Sequence, residues 1–328
     1  MGCANIAIES LIPAIKKSDS GELLAIASRS EERAKRVARE FGIPKAYGDY
    51  DELLTDDEVE AVYIPLPNHL HKEWTIKSAR KGKHILCEKP LGLSVLECKE
   101  MFRECRKNGV ILMEAFMYRF HPQTILAKKI VDSGKIGQIK LIRSGFSFLF
   151  PEGLLSKDIR GKKEYGGGSL FDLGCYCVNI SRYIMEEEPV EVYAIADIHP
   201  SFGIDLSMEA ILSFHQNKRS MIDCSFKRTS NQFYEVVGTK GTVRVPVAFT
   251  PGKNPRVLVR KGRKVKICKV ECVDQYELEI EHFEKSVREN KAPFLSSQDS
   301  IGNARVLDDL FISIKTGKTV KLEIKEDN

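Results

Sequence analysis

No apolar run in this 328-residue chain approaches the roughly 20 residues of a membrane-spanning helix. The first residues lack the charged-then-apolar pattern of a signal peptide, so a cytoplasmic setting is expected. Charge of one sign is scarce too. Fifty-one basic and 46 acidic residues leave a net charge of +5, too balanced for a dedicated nucleic-acid binder. Neither nucleic acid nor membrane is expected as a partner. The nine cysteines include no C-x-x-C pair, and Cys175/Cys177 and Cys268/Cys272 have the wrong spacing for a zinc ribbon. Reduced, buried thiols are therefore expected in place of disulfides or a metal. What remains is an ordinary globular composition, 42% hydrophobic and 30% charged, long enough for two domains with a core each.

The first half alternates short apolar runs with amphipathic stretches. Leu23 to Ala27, Ala61 to Ile64, His84 to Cys87 and Val110 to Met113 read as strands. Between them, Glu31 to Phe41 reads as a helix stopped by Gly42 and Pro44, and His71 to Lys81 as one closed by Gly82. A further helix opens on the capping box Ser94-Val95-Leu96-Glu97. This repetition implies right-handed crossovers and a mostly parallel sheet.

Beyond residue 120 the pattern changes to long alternating runs: Ile139 to Phe150, Glu191 to Ile198, Met208 to Phe214, Ser220 to Lys227, Gln232 to Val237 and Thr242 to Val245. Gly238-Thr239-Lys240-Gly241 reads as a hairpin turn. The basic stretch Val257 to Val270 reads as an edge hairpin around Lys261-Gly262, its lysines guarding against edge-to-edge pairing. An antiparallel sheet with helices on one face fits. Helices at Tyr276 to Val287 and Asp299 to Ile314 are expected to pack back on the first domain and the sheet. The expected division is 1–120, a dinucleotide-binding domain, and 121–328, an α+β domain.

Five segments carry chemistry. In Lys83-His84-Ile85-Leu86-Cys87-Glu88-Lys89-Pro90, an apolar strand ends abruptly, because Pro90 has no N–H for a ladder and biases Lys89 away from helix. Lys89 is thereby delivered to the carboxyl end of a strand, the ligand side of an open α/β sheet. Gly2-Cys3-Ala4-Asn5-Ile6-Ala7 keeps one glycine of the three in a G-x-G-x-x-G phosphate turn, and Gly2, Ala4, Asn5 and Ile6 would approach a pyrophosphate. That turn needs a strand before it, so the first strand is expected to be truncated, with Met1 as its last residue. A dinucleotide site specific for NAD places an acid about 20 residues further on, where this chain has Ser28-Arg29-Ser30 and then Arg33. A guanidinium suits a 2′-phosphate, which favours NADP over NAD; the alternative is an Ser30 N-cap followed by an exposed Arg33. Pro65, Asn68 and His71, in the loop after the third strand, would border the dinucleotide. Finally, Gly166-Gly167-Gly168 precedes a helix on which Asp172 and Tyr176, four residues apart, share a face. An ordinary helix start with a dipole-favoured Asp would look the same.

Together with Glu114-Ala115-Phe116-Met117-Tyr118-Arg119-Phe120-His121-Pro122, these segments resemble the Gfo/Idh/MocA family of nicotinamide-dependent sugar and polyol oxidoreductases. The likeness runs from Gly2 to Gly317-Lys318-Thr319-Val320 and is strongest to the glucose–fructose oxidoreductase, dihydrodiol dehydrogenase and xylose dehydrogenase branch. It implies an α/β fold: an N-terminal Rossmann doubly wound parallel sheet, plus a C-terminal α+β domain with a large, mostly antiparallel open sheet. It also implies Lys89, Asp172 and Tyr176 as the catalytic group, with tyrosine where other branches use histidine. Glu88, Lys89, Arg160 and Tyr276 are implied at the cofactor. Arg119 and His121 would either face the substrate or brace the joint between domains.

The implied activity is hydride transfer between NADP and a sugar or polyol, such as an aldose oxidised at its anomeric carbon. A free phenol titrates near ~10 and is a poor base at neutral pH, but an adjacent ammonium lowers that value and stabilises an alkoxide. Tyr176 is thus expected to carry the proton with Lys89 as electrostatic partner, the reverse assignment staying open. A nicotinamide-dependent glycosidase or a non-catalytic cofactor sensor are the alternatives on this scaffold. A homodimer or homotetramer through the second sheet is implied by analogy.

Overall fold

The computed structural model describes residues 1–18 and 21–322. Along the chain the elements are α1 (Ile12–Lys17), β1 (Ala25–Ala27), α2 (Glu31–Phe41), β2 (Lys45–Tyr47), α3 (Tyr50–Leu54), β3 (Ala61–Ile64), α4 (His71–Arg80), β4 (His84–Glu88), α5 (Val95–Lys107) and β5 (Leu112–Ala115). They continue with α6 (Pro122–Asp132), β6 (Ile139–Ser147), α7 (Cys175–Met185), β7 (Glu191–Ile198), β8 (Asp205–Ser213), β9 (Arg219–Ser225), β10 (Asn231–Gly238), β11 (Thr242–Val245), β12 (Arg256–Lys261), β13 (Lys264–Lys269), α8 (Gln275–Glu289), α9 (Ser297–Thr316) and β14 (Val320–Lys321).

Local chemistry accounts for many boundaries. Ser30 caps α2 by accepting from the Arg33 N–H, and Gly42 ends it in a left-handed conformation at φ +64°. At α5, Ser94 accepts from the Glu97 N–H, while the Glu97 carboxylate takes the Leu93 N–H at 2.8 Å, one residue earlier than a standard capping box would. Strand β4 stops at Glu88, immediately before the Lys89–Pro90 peptide. Short β2 and α3 have too few residues for a periodic signal. Aspartate 49 caps α3 by accepting from the Asp51 N–H.

Two compact units emerge. One comprises Met1–Met117 with Asp274–Ile301, and the other Tyr118–Val273 with the described residues from Gly302 onward. The division into 1–120 and 121–328 leaves out the return of α8, which packs on α1 in the first unit. In that unit β1 pairs with β2, and β3 with β4 and β4 with β5, all parallel, in two separate sheets. The second unit holds one nine-stranded sheet in the order β13-β12-β11-β10-β6-β9-β8-β7-β14. Its neighbours are antiparallel except β6 and β9, which run parallel over Leu141–Ser147 and Arg219–Ser225. The basic hairpin β12–β13 lies at the sheet edge, with Lys264, Val265, Lys266 and Ile267 exposed. Helix α7 packs on β6 and β9, burying every residue but Tyr183.

Candidate active site

In the first unit, Gly2 adopts φ +87°, and a Cβ there would lie 2.9 Å from Leu66 Cδ2. Only glycine fits both demands. A helix starts at Asn5 and runs on into α1, its turns over Ala7–Leu11 being π-wound. The first bond inside it is Ile8 N–H to the Ala4 carbonyl, so the amides of Asn5, Ile6 and Ala7 have no partner within the helix. Such an end attracts an anion.

Around this turn lie the predicted specificity residues. The Arg33 guanidinium donates to the Cys3 carbonyl at 2.7 Å while its own amide satisfies the Ser30 cap at 3.3 Å, and the residue is exposed. Ser28 Oγ accepts from the Ser30 N–H at 3.3 Å, and Arg29 bonds the Tyr50 hydroxyl. No carboxylate stands at positions 28–30. The donor set therefore fits a phosphate better than a free 2′-hydroxyl.

Pro65 is buried and Asn68 half-buried in the loop after β3. His71 is fully buried, with Nε2 2.8 Å from the Leu66 carbonyl and Nδ1 2.9 Å from the Pro90 carbonyl. Burial holds its pKa below the usual imidazole value despite those carbonyls. Histidine 71 therefore ties the loops after β3 and β4 to each other, and presents no ring nitrogen outward. Half-buried Lys89 follows β4 directly. Tyr276, on α8, bonds through its side chain to Ser10 of the fingerprint helix.

An acidic cluster behind Lys89 was missed. Tyr63 Oη donates to Glu88 Oε1 at 2.6 Å, and the Lys89 N–H to Glu88 Oε2 at 3.3 Å. Fully buried Glu279 carries two carboxyl oxygens with no hydrogen-bond partner among the described residues. Burial first, and the Glu88 charge second, push its pKa well above the usual carboxylate range. A signal existed: Gln275, Glu279, Ile280 and Phe283 share the buried stripe of α8, and an acid there is out of place.

In the second unit, Asp172 lies in the π-wound turn Leu170–Gly174 that leads into α7. Of the two π-segments among the described residues, Leu170–Gly174 holds the predicted Asp172, and Ala7–Leu11 follows directly on the predicted Ile6. Arg160 Nε donates to Asp172 Oδ2 at 2.7 Å, so the predicted cofactor cation is an ion-pair partner of the predicted catalytic acid. Tyr176 is 5% exposed, its ring set against Tyr118, Phe146 and Phe249 at centroid distances of 5.8, 5.5 and 5.3 Å. The preceding glycines are needed for close packing. A Cβ on Gly168, at φ +106°, would fall 2.1 Å from Asp205 Oδ1.

That aspartate, another missed residue, is buried and accepts from Ser169 Oγ at 2.7 Å and the Leu170 N–H at 2.6 Å. It caps the turn bearing Asp172 from a distant strand, and burial raises its pKa to about 6. Arg119 and His121 each make side-chain contacts within the second unit. Arg119 Nη1 donates to Asn179 Oδ1 at 3.1 Å with its guanidinium 3.7 Å from the Tyr183 ring centre. His121 Nδ1 accepts from the Gln123 N–H at 3.1 Å to cap α6, and burial lowers its pKa to about 4. Lys89 belongs to the first unit, and Asp172 and Tyr176 to the second.

Comparison with known proteins bears on the family. Residues 1–116 match the oxidoreductase family with NAD-binding Rossmann fold, and residues 124–244 the GFO/IDH/MocA C-terminal domain. A D-xylose 1-dehydrogenase (NADP(+)) of Haloferax volcanii is 38% identical over 98% of both chains. A 3-ketoreductase of Actinomadura kijaniata, solved with NADP and TDP-benzene, superposes with a TM-score of 0.90 at 31% identity over 95% of each chain. An aldose-aldose oxidoreductase of Caulobacter crescentus, complexed with glycerol, reaches 0.91 at 26% identity over 98% of each. With a Rossmann unit ending β4 on Glu88-Lys89-Pro90, and a second unit built on a nine-stranded sheet, the chain belongs to the Gfo/Idh/MocA family of NAD(P)-binding oxidoreductases.

Proposed function

We propose that this enzyme transfers a hydride between NADP and a hydroxyl-bearing carbon of a sugar or related polyol, for example an aldose oxidised at its anomeric carbon. The observation that carries this reading is the delivery of Lys89 by the carboxyl end of β4, in the unit that also holds the Gly2–Asn5 anion seat. When bound, the nicotinamide supplies the hydride acceptor or donor. The amides at Asn5 and Ile6 hold the pyrophosphate, and Arg33 with Arg29 binds the 2′-phosphate.

On the substrate, Tyr176 takes the hydroxyl proton during oxidation and returns it during reduction. The Lys89 ammonium stabilises the alkoxide that develops as the proton leaves. Asp172, held by Arg160, orients a neighbouring hydroxyl. The test is a panel of pentoses and hexoses with NADP and NAD, following reduced nicotinamide by absorbance. Turnover with NADP on an aldose supports the assignment. Net silence of the cofactor signal during turnover, or no turnover on any sugar, would refute it.

The enzyme works in the cytoplasm as a homodimer or homotetramer through its second sheet. Tyr193, Ile211 and Met221 lie in one cross-strand row on β7, β8 and β9, all exposed on a single apolar face. In equilibrium sedimentation, Ile211→Glu is expected to yield monomers. Unchanged mass would exclude that face as the interface.

A further inference from the structure

Residues 246–255 join β11 to β12, although a turn of about two residues would serve two neighbouring antiparallel strands. Most of this loop is exposed or half-buried, as a surface connection should be, yet Ala248 and Phe249 within it are 0% exposed. Two glutamines from different elements hold the dip. Gln232, on β10, accepts from the Phe249 N–H at 2.9 Å and the Thr250 N–H at 2.6 Å, and its own carbonyl takes the Ala248 N–H at 3.1 Å. Buried Gln123, on α6, donates through Nε2 to the Val247 carbonyl at 2.7 Å, and its Oε1 accepts from the Arg256 N–H at 3.2 Å, where β12 begins. These bonds meet backbone groups that the dip takes out of water.

What the loop delivers is a ring that touches three others. Phe249 lies 5.1 Å from Phe146, stacked at 22°, then 5.2 Å from Tyr118, edge-on at 89°, and 5.3 Å from Tyr176 at 47°. Gln232 and Phe146 are cross-strand partners and share one face of the sheet, so the glutamine that grips the loop stands beside the ring on which Phe249 stacks. Tyr118 is fixed in turn by its hydroxyl, which donates at 2.5 Å to Asn179 Oδ1 on α7, the helix that carries Tyr176. A tyrosine has two side-chain torsions, and its oxygen, at the far end of the ring, moves furthest when the first one turns. Close-packed rings take that freedom away.

We propose that Phe249 is a positioning residue for Tyr176: the loop after β11 wedges its ring against the phenol and holds the hydroxyl in the orientation that serves proton transfer. The inference rests on the proton-carrying role given to Tyr176 above, and adds to it the group that aims the tyrosine. Gln232 and Gln123 act one step further back, by holding the loop that bears the wedge. All of these residues lie in the second unit.

Steady-state and single-turnover rates of Phe249→Leu, Tyr176→Phe and the double variant test this in the full-length enzyme, with NADP and the sugar turned over fastest. Leucine keeps an apolar side chain in the wedge and removes the ring. Phe249→Leu is expected to lower kcat by about 10- to 100-fold, the cost of displacing a reacting group by about 1 Å, with KM for sugar and for NADP changed by less than about threefold. In the Tyr176→Phe background the same change is expected to cost less than about twofold, since no hydroxyl is left to aim. Losses that multiply in the double variant, or a raised KM with kcat intact, would overturn the proposal and leave Tyr176 in the mechanism. A Tyr176→Phe variant as fast as wild type would overturn the proton role itself, and this inference with it. Should Phe249→Leu fail to fold, Gln232→Leu, which releases the Phe249 and Thr250 amides, replaces it in the same cycle, and the same outcomes decide.

Discussion

The first unit keeps its described strands in parallel pieces of two and three, each strand three to five residues long. The second runs nine strands in one sheet, most of them six to nine residues and nearly all antiparallel. Short parallel strands cannot stand without helices on both faces and neighbours on both edges, and their useful groups are backbone amides and loop residues at the carboxyl ends. Long antiparallel strands support one another, leaving α7 free to carry side-chain chemistry against their buried face. The first unit is thus suited to holding a dinucleotide by its backbone and the second to presenting Asp172 and Tyr176.

The largest expected effect tests whether these two designs serve one reaction. Lys89→Met and Tyr176→Phe should each lower kcat by ~10²–10⁴, the size of a general acid–base contribution. Acting as a unit, the double variant should be little worse than the poorer single one. Fully multiplicative losses in steady-state assays would mean that the two units act separately.

A second effect concerns the second unit alone. With its pKa raised to about 6, Asp205 binds a proton more tightly in the folded than in the unfolded chain. Its contribution to stability is thus most favourable below the unfolded value near ~3.9 and declines as pH rises through about 6. Relative to wild type, Asp205→Asn should gain on the order of 2–3 kcal/mol between about pH 4 and pH 7 in urea titrations. A difference flat across that window would remove Asp205 as a buried titrating group.

The smallest effect confines itself to the first unit. Arg33→Ala should weaken NADP binding about tenfold, the worth of a charge-assisted hydrogen bond, and leave NAD binding unchanged. Equal losses for both dinucleotides, read by fluorescence titration, would place Arg33 at the fingerprint turn only, through its bond to Cys3.

Much of this was legible residue by residue. The bounds Glu31–Phe41 and Ala61–Ile64 were read as they stand, because capping and β-branched signals lie within a few positions of the ends they mark. Pro90 announced the end of β4 for the same reason. The pairing of Arg160 with Asp172 and the capping of that turn by Asp205 were not legible. The first two lie twelve positions apart, and Leu170 and Asp205 35 apart, with no local pattern linking them. His71 looked like a ligand-side residue and proved to be a buried tie between two loops, a matter of which carbonyls came within reach.

The sequence by itself determined where strands stop, where helices start, and that cations instead of an acid follow β1, since these depend on dihedral preferences and neighbours along the chain. Only the tertiary structure decided that Glu279 is buried beside Glu88, that β6 and β9 run parallel, and that β1 and β3 each turn an edge toward Met1 and Gly2. Desolvation and strand pairing depend on what distant segments bring to a point, and no stretch of residues encodes that alone.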